Sequence, residues 1–236
     1  MGYNWLNIIQ NYLLPPTCVL CGHEGFLGRD LCEYCYRDLA RNLICCSLCA
    51  RPLATNESGL VCGECLRLTP AFDKTLAPFL YQDAMQLLIT QLKFGGDFKN
   101  ARILGQLLAE HIPGDDLPEL ILPVPLHGQR YRERGFNQAL EIARIVATEL
   151  KLPIDFYSCK RNRPTEQQTQ LTAKKRRQNI KHAFSVVKPL PAKHIALLDD
   201  VMTTGATADE LTKTLKNQGV ERVELWVCAR AWYKKS

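Results

Sequence analysis

The sequence lacks the features that mark a membrane-spanning or secreted protein. Its longest apolar stretches fall well short of the roughly 18 residues that span a bilayer, so we expect no integral membrane segment. Residues 1–14 contain no Lys or Arg and so lack the basic region of a secretory signal peptide. Their apolar spacing instead predicts a short amphipathic helix that packs on the protein. We therefore expect a cytoplasmic protein.

The sequence also lacks an even spread of charge. Hydrophobic residues make up 46% and charged residues 23%, which is typical of a folded globular protein. The net charge is +6, but residues 127–182 hold thirteen Lys and Arg against five Asp and Glu, so the remainder carries −2. A basic excess confined to one segment predicts an anionic partner at one place, and the alternative is a solvated basic loop.

Eight of the eleven cysteines form four C-x-x-C pairs within the first 65 residues. Since no export signal precedes them, a disulfide framework is disfavoured and reduced, metal-binding thiolates are favoured. Each pair makes a knuckle whose sulfurs face one ion, and two knuckles complete a tetrahedral zinc site that is closed to substrate. The predicted ligands are Cys18, Cys21, Cys32, Cys35, Cys46, Cys49, Cys62 and Cys65.

The spacing of the knuckles leaves their pairing open. Pairing in chain order predicts one site at 18/21/32/35 and one at 46/49/62/65, whereas a cross-braced module would join the first pair with the third and the second with the fourth. Cys45 is interpreted as a spare thiol. A module this small needs metal for its folding free energy. Thr69 and Pro70 predict its end, so we expect one domain at 1–70 and another at 71–236.

Residues 71–236 alternate between strand and helix patterns, which predicts an α/β domain with a mostly parallel sheet and helices on both faces. Ligands of such sheets bind at the carboxyl ends of the strands. The predicted strands are 75–81, 120–124, 184–187, 195–198 and 223–227, and the predicted helices are 83–93, 100–111, 137–150 and 207–217.

The segment after strand 195–198 has the strongest functional pattern. Asp199 and Asp200 follow the strand, and a loop of small residues leads into a helix. The N–H groups at a helix N-terminus suit a phosphate, and carboxylates suit sugar hydroxyls or water around Mg²⁺. The segment predicts a site for a sugar 5-phosphate; the alternative is an ordinary strand–turn–helix. The phosphate-binding residues would be Thr203, Thr204, Gly205, Ala206 and Thr207.

Two basic segments follow other predicted strands. Alternating arginines after strand 120–124 suit a pyrophosphate or a nucleic-acid backbone, with Tyr131 or Phe136 available to stack on bases. Residues 161–181 are polar and basic, and predict a mobile loop that closes over an anion. For both segments the alternative is an exposed basic surface. The candidate anion-binding residues are Arg130, Arg132, Arg134, Arg161, Arg163, Lys174, Lys175, Arg176 and Arg177.

Residues 195–207 resemble the phosphoribosyl pyrophosphate (PRPP) loop of type I phosphoribosyltransferases. The chain as a whole resembles the ComF family of competence proteins, including its ComFC and GntX-type members, which combine a double zinc ribbon with a phosphoribosyltransferase-like domain. The resemblance rests on the cysteine knuckles, the loop, and further short motifs. These are Gln-Leu-Lys-Phe at 91–94, Pro-Val-Pro-Leu at 123–126, Arg-Gly-Phe-Asn-Gln at 134–138, and Gln168, Arg177 and Asn179.

The resemblance implies that Asp199 and Asp200 contact the ribose hydroxyls while residues 203–207 hold the 5-phosphate of Mg²⁺-PRPP. It also implies binding of single-stranded DNA, and a role in natural transformation at the inner membrane or in DNA utilisation. An active enzyme would be a glycosyltransferase, with Asp199 and Asp200 as its catalytic residues. The alternative is a non-catalytic PRPP sensor that docks a DNA-translocating helicase or channel. No segment predicts a dedicated nucleobase pocket, and the zinc module could take its place.

Overall fold

The computed structural model describes residues 15–54, 59–164 and 180–232. The predicted helix at 1–14 and the predicted anion-binding residues at 174–177 lie outside these ranges, as do Gln168 and Asn179. Within the described ranges, no helix is both long enough and apolar enough to cross a membrane.

Seven α-helices and seven strands are present in the described residues. The helices are α1 (Glu33–Arg37), α2 (Gly63–Arg67), α3 (Asp83–Thr90), α4 (Phe98–Ala109), α5 (Gly128–Arg134), α6 (Gln138–Leu150) and α7 (Ala206–Lys216). The strands are β1 (Lys74–Leu76), β2 (Phe79–Leu80), β3 (Leu120–Pro123), β4 (Cys159–Arg161), β5 (Phe184–Val186), β6 (His194–Met202) and β7 (Arg222–Arg230). A π-helical turn, Gln91–Gly95, continues α3.

The main sheet is parallel throughout, with strand order β1-β7-β6-β3 and β2 also paired to β7. This confirms the predicted fold class. The predicted strand 75–81 is two strands, β1 and β2, interrupted at Ala77 and Pro78, since proline has no N–H for the ladder. The predicted strand 184–187 is present as β5, but it lies outside the main sheet and pairs antiparallel with β4 in a separate two-stranded sheet.

The sheet has two buried faces, because successive residues of β6 point to opposite sides. Ala196 and Leu198 lie in a hydrophobic cluster with residues of α3, α4 and α6. Ile195 and Leu197 lie in a second cluster with residues of α7. We call these sides the α6 face and the α7 face. Burial on both sides explains why β6 reads as a nearly continuous apolar run before its two carboxylates.

The cysteine knuckles divide between the two faces. Cys18 and Cys32 belong to the cluster of the α6 face, whereas Cys46, Cys49, Cys62 and Cys65 all belong to the cluster of the α7 face. Buried Asn42 joins the parts, since its side-chain N–H groups donate to the carbonyls of Ala50 (2.9 Å) and Ala77 (3.0 Å). The knuckles are therefore built into the hydrophobic core of the α/β fold.

Candidate functional site

The eight predicted zinc ligands form two groups in chain order. The first site is Cys18, Cys21, Cys32 and Cys35, and the second site is Cys46, Cys49, Cys62 and Cys65, with the four sulfurs of each group within 4.8 Å of one another. This settles the pairing in favour of sequential sites and against the cross-braced alternative. The Sγ atoms of Cys49 and Cys62 lie 3.6 Å apart, close to the ~3.8 Å edge of a tetrahedron built with zinc–sulfur distances of about 2.3 Å.

The surroundings of the sulfurs also fit structural zinc. Backbone N–H groups donate to sulfur at both sites, from Cys35 to Cys32 (3.4 Å) and from Cys62 to Cys46 (3.3 Å), and such contacts orient thiolate ligands. Cys21 of the first site is exposed, whereas all four ligands of the second site are buried. Cys45 belongs to neither group, in agreement with its interpretation as a spare thiol.

The predicted phosphate-binding residues form one continuous turn between β6 and α7, which we call the phosphate loop (residues 203–207). Gly205 adopts φ +78° at the N-cap of α7 and offers no side-chain cap. The N–H of Ala206, the first residue of the helix, donates to the hydroxyl of Thr204 at 3.4 Å. The N-terminus of a helix is favourable for an anion because its N–H groups and its dipole point toward it. A Cβ on Gly205 would lie 2.5 Å from the Cε of Met202. Asp199 and the loop line a small cavity of about 50 Å³.

Asp199 and Asp200 lie on opposite faces of the sheet, as neighbouring residues of a strand must. Half-buried Asp199 is on the α7 face beside the phosphate loop. Asp200 is buried on the α6 face, where it forms an ion pair with Lys93. Gln138 donates to the Asp200 carboxylate at 3.5 Å, and Arg134 in turn donates to Gln138. The two carboxylates therefore have different environments although they are adjacent in sequence.

The pKa values of this cluster move in opposite directions. Burial, and then the charge of Asp200, raise the pKa of Asp199 well above its ordinary value. Burial opposes ionisation of Asp200, but Lys93 outweighs it and lowers the Asp200 pKa. Burial likewise opposes the charge of Lys93, yet Asp200 and Asp199 raise the Lys93 pKa. Asp200 and Lys93 are thus a charged pair, and Asp199 is the carboxyl that holds a proton more readily.

A basic cavity of about 390 Å³ lies next to this cluster. Three cations, one carboxylate and two aromatic residues line it: Lys93 of the π-helical turn, Arg130, Arg134 and Glu133 of α5, and Phe94 and Phe136. The structure divides the three predicted arginines of this segment. Because α5 is helical, Arg130 and Arg134 share a face one turn apart, whereas Arg132 points away and is exposed.

Of the other predicted cations, the structure describes Arg161, which is half-buried, and Arg163, which is exposed. Half-buried Arg161 of β4 lies near Arg130 and Asp199, whose charges act on its guanidinium. Burial lowers the pKa of Arg161, and the charge of Arg130 lowers it further. Arg163 is exposed and donates to the carbonyl of Lys181. Like charges are therefore crowded around Arg130, which favours a polyanionic ligand at that place.

Sequence reasoning missed three residues of this region. Lys93 and Gln138 were noticed only as parts of short motifs, although both contact Asp200. Buried Arg230, at the end of β7, was not noticed at all. Its guanidinium donates to the carbonyl of Cys49 at the second site and to the carbonyls of Met202 and Thr203 at the phosphate loop. No local pattern marks it, because its partners are distant in sequence.

With this geometry in place, similarity to known proteins identifies the family. The double zinc ribbon domain family matches residues 9–66, and the phosphoribosyl transferase domain family matches residues 137–235. Competence protein F of Haemophilus influenzae is 35% identical over 224 residues, covering 91% of this chain and 96% of that protein. The chain belongs to the competence protein F family.

Similar relatives include a DNA utilization protein and a second competence protein. The DNA utilization protein YhgH of Escherichia coli O157:H7 is 33% identical over 224 residues, covering 92% of this chain and 98% of that protein. Competence protein ComFC of Streptococcus pneumoniae is 28% identical over 158 residues, covering 65% of this chain and 67% of that protein. The resemblance to the ComF family inferred from sequence is confirmed. The family matches also support the cysteine clusters as structural zinc sites.

Proposed function

We propose that this member of the competence protein F family binds Mg²⁺-PRPP at the phosphate loop and acts on single-stranded DNA during DNA uptake or utilisation. The observation that carries the proposal is the junction of β6 and α7. There a turn with glycine at the N-cap brings the N-terminus of α7 next to Asp199, and both line one small cavity. The relatives, which are named competence and DNA utilization proteins, support the DNA role.

The chemistry of the site suits PRPP. Residues 203–207 would hold the 5-phosphate through backbone N–H and threonine hydroxyl groups. Asp199 supplies oxygen atoms for a ribose hydroxyl or for Mg²⁺, which prefers oxygen ligands, and Asp200 would contribute after exchanging its contact with Lys93. Mg²⁺ would neutralise charge on the pyrophosphate. Lys93, Arg130 and Arg134 would bind the remaining pyrophosphate charge from the neighbouring cavity.

The same region favours DNA as the macromolecular partner. Phe94 is 70% exposed, Phe98 is 52% exposed, and Tyr131 is 50% exposed. Phe98 packs against Phe136 with ring centroids 5.0 Å apart, and the guanidinium of Arg134 lies over the ring of Phe94 at 5.7 Å. Exposed rings interleaved with cations are what single-stranded nucleic acid requires, since bases stack and phosphates pair with arginine.

Two modes of action are compatible with this site. An enzyme of the glycosyltransferase class would transfer the phosphoribosyl group and release pyrophosphate, with Asp199 and Asp200 at the reacting sugar. A non-catalytic protein would use PRPP as a signal while docking a DNA-translocating helicase or a channel. The difference is measurable, because only the first mode consumes PRPP.

The PRPP part is tested by calorimetry with Mg²⁺-PRPP. Asp199→Asn should weaken binding at least about tenfold, roughly 1.4 kcal/mol. Asp115→Asn should not, because exposed Asp115 precedes β3 and so lies toward the amino ends of the parallel strands, whereas the phosphate loop follows the carboxyl end of β6. Pyrophosphate release by the wild-type chain would show catalysis, and binding without release would favour the sensor. Absence of PRPP binding by the wild-type chain would contradict the proposal.

The DNA part is tested by fluorescence anisotropy with a labelled single-stranded oligonucleotide at two salt concentrations. Arg134→Ala should weaken binding and reduce its salt dependence, because one phosphate contact is lost. Phe94→Ala should weaken binding with an unchanged salt dependence, because a stacking contact is lost. Arg132→Ala is the matched control on the other side of α5. Equal losses for Arg132 and Arg134 would indicate non-specific attraction.

A further inference from the structure

The second Cys₄ site and the phosphate loop are joined by one buried side chain. Arg230 is 2% exposed as a whole residue. Its Nε donates to the carbonyl of Cys49 at 2.9 Å, and its Nη1 donates to the carbonyl of Met202 at 3.0 Å and to that of Thr203. The same nitrogen also donates to the Ala231 carbonyl at 2.6 Å. A planar guanidinium holds such contacts in a fixed relative geometry.

We propose that Arg230 is a positioning residue that makes the shape of the phosphate loop depend on zinc at the second site. This coupling links zinc at the second site to the backbone conformation of the phosphate loop, and it does not require a bound ligand. Its effect on ligand binding rests on the PRPP site proposed above. Zinc at the first site has no such connection among the described residues, so the two metal sites differ in function although their ligands are the same.

The position of Arg230 within the loop supports this role. Met202 is the last residue of β6, and Thr203 is the first residue of the phosphate loop. A donor to both carbonyls fixes the orientation of two peptide planes that precede Gly205. Gly205 has a φ of +78°, and this left-handed conformation is kept only where the neighbouring backbone is held in place. Loss of these contacts would let the turn adopt other conformations, and the N–H groups would no longer converge on one anion.

The position of Arg230 at the metal site supports the same role. Cys49 is a predicted zinc ligand, and its carbonyl belongs to the knuckle that wraps the ion. Four thiolates around Zn²⁺ carry a net charge of −2, and the Arg230 guanidinium is hydrogen-bonded to the backbone of the same knuckle. A metal-loaded site therefore attracts the buried cation and fixes the knuckle carbonyl that accepts from it. Without the ion the knuckle backbone would be free to move, and its carbonyl would no longer hold Arg230 in one orientation.

A cavity of about 180 Å³ is lined by residues of both parts. They include Cys49 and Cys65 of the second site, Thr204 and Gly205 of the phosphate loop, and Arg230. At this cavity the hydrogen bonds of Arg230 connect the two parts, which elsewhere share the hydrophobic cluster of the α7 face. Ala71, in the link from the second ribbon to β1, adds a separate contact by donating its N–H to Asp209 at 2.7 Å.

Hydrogen exchange of the loop amides tests the coupling without any ligand. Peptides covering residues 203–208 should exchange at least about tenfold faster, roughly 1.4 kcal/mol of opening free energy, in Arg230→Met and in Cys62→Ser, which breaks the second site. Cys21→Ser, which breaks the first site, should leave these peptides unchanged. Arg102→Met is the matched arginine control, because Arg102 pairs with Asp30 near the first site. Equal exchange in all four variants would overturn the proposal.

Reciprocal linkage tests the coupling in chains that keep Arg230, in case Arg230→Met or Cys62→Ser fails to fold. Cys21→Ser leaves only the second zinc ion, whose loss to a chromogenic chelator can be followed. Mg²⁺-PRPP should slow that loss, because linkage between two sites is mutual. It should not slow loss from the first site, measured in Cys62→Ser where that variant folds. A release rate from the second site that ignores bound PRPP would contradict the proposal.

The two proposals fail in different ways. If the wild-type chain does not bind Mg²⁺-PRPP but its loop exchange still depends on the second site, the PRPP site is wrong and the coupling stands. If Mg²⁺-PRPP binds while loop exchange is independent of the second site, the coupling is wrong and the PRPP site stands. Arg230→Lys adds a further distinction, since it keeps the charge but cannot reproduce the fork of donors. We expect it to behave like Arg230→Met.

Discussion

The two faces of the sheet use the same parts for different purposes. Each has a Cys₄ site, one of the two adjacent carboxylates, and a buried or half-buried cation. On the α6 face Asp200 is neutralised by Lys93, and the first site has an exposed ligand, Cys21. On the α7 face Asp199 has the phosphate loop beside it, and Arg230 binds the buried second site to that loop. Similar chemistry therefore gives a charge-pairing face and a loop-positioning face.

The largest expected difference between the faces is in the zinc ligands. Structural zinc contributes an apparent binding free energy of about 10–16 kcal/mol in small modules, so loss of a ligand costs several kcal/mol. Cys65→Ala should lower the thermal midpoint far more than Cys21→Ala, because the second site is buried in the core cluster of its face. Thermal unfolding with zinc quantification checks this. Equal midpoints would abolish the distinction between the sites.

The next effect concerns the ion pair of the α6 face. Lys93→Met should cost about 3 kcal/mol near neutral pH, because it leaves the buried Asp200 charge without a partner. On the α7 face, Lys213→Met should cost less than about 0.5 kcal/mol, because the Lys213–Asp209 pair is exposed. Urea unfolding at fixed pH compares them. Lys93→Met combined with Asp200→Asn should recover most of the loss, and no recovery would point to packing instead of charge.

The pH dependence of the Lys93 variant follows from the direction of two shifts. The Asp200 pKa is lowered, so its stabilisation is present above the unfolded value near 3.9 and is lost as pH falls through the folded pKa. The Lys93 pKa is raised, so its stabilisation is present below the unfolded value near 10.4 and is lost as pH rises through the folded pKa. The deficit of Lys93→Met should be widest between these limits. A deficit that does not change with pH would contradict the ion-pair interpretation.

A smaller effect tests the backbone of the α7 face. Gly205→Ala should cost about 1–2 kcal/mol because a side chain at φ +78° is strained, while the terminal methyl of Met202, the nearest atom to the new Cβ, can move aside. It should also weaken PRPP binding. Gly63→Ala in α2 is the matched control, because a Cβ there meets nothing within 4 Å. Equal costs would mean that the loop tolerates a side chain, and that its shape is less defined than we infer.

The smallest effect concerns the attachment of the first site. Arg102→Met removes an ion pair with Asp30 whose arginine side chain is 48% exposed, so we expect a loss of only about 0.5 kcal/mol. PRPP affinity should be unchanged, because no connection from this pair to the phosphate loop is found among the described residues. Denaturant unfolding and calorimetry measure the two quantities. A large loss of PRPP affinity would show that the α6 face also positions the loop.

The sequence alone predicted the zinc ligands, the position of the phosphate loop and the class of fold, because the patterns that indicate them are local. Knuckle spacing predicted the eight zinc ligands, and β6 with its two carboxylates predicted the position of the phosphate loop. Strand and helix periodicity predicted the parallel sheet. The separation of Asp199 from Asp200 was also available from the two-residue period of a strand, although that signal went unused.

Only the tertiary structure decided which distant residues meet. Pairing of the knuckles depended on how the chain folds back, and the division of Arg130 and Arg134 from Arg132 depended on α5 being helical. Lys93 contacts Asp200, which lies more than a hundred residues further along the chain. Arg230 contacts Cys49, which is 181 residues away, and Thr203, which is 27 residues away. Such contacts are set by the packing of β6, β7 and the knuckles around shared hydrophobic clusters. This packing produces no repeating pattern of residues that could be recognised in the sequence.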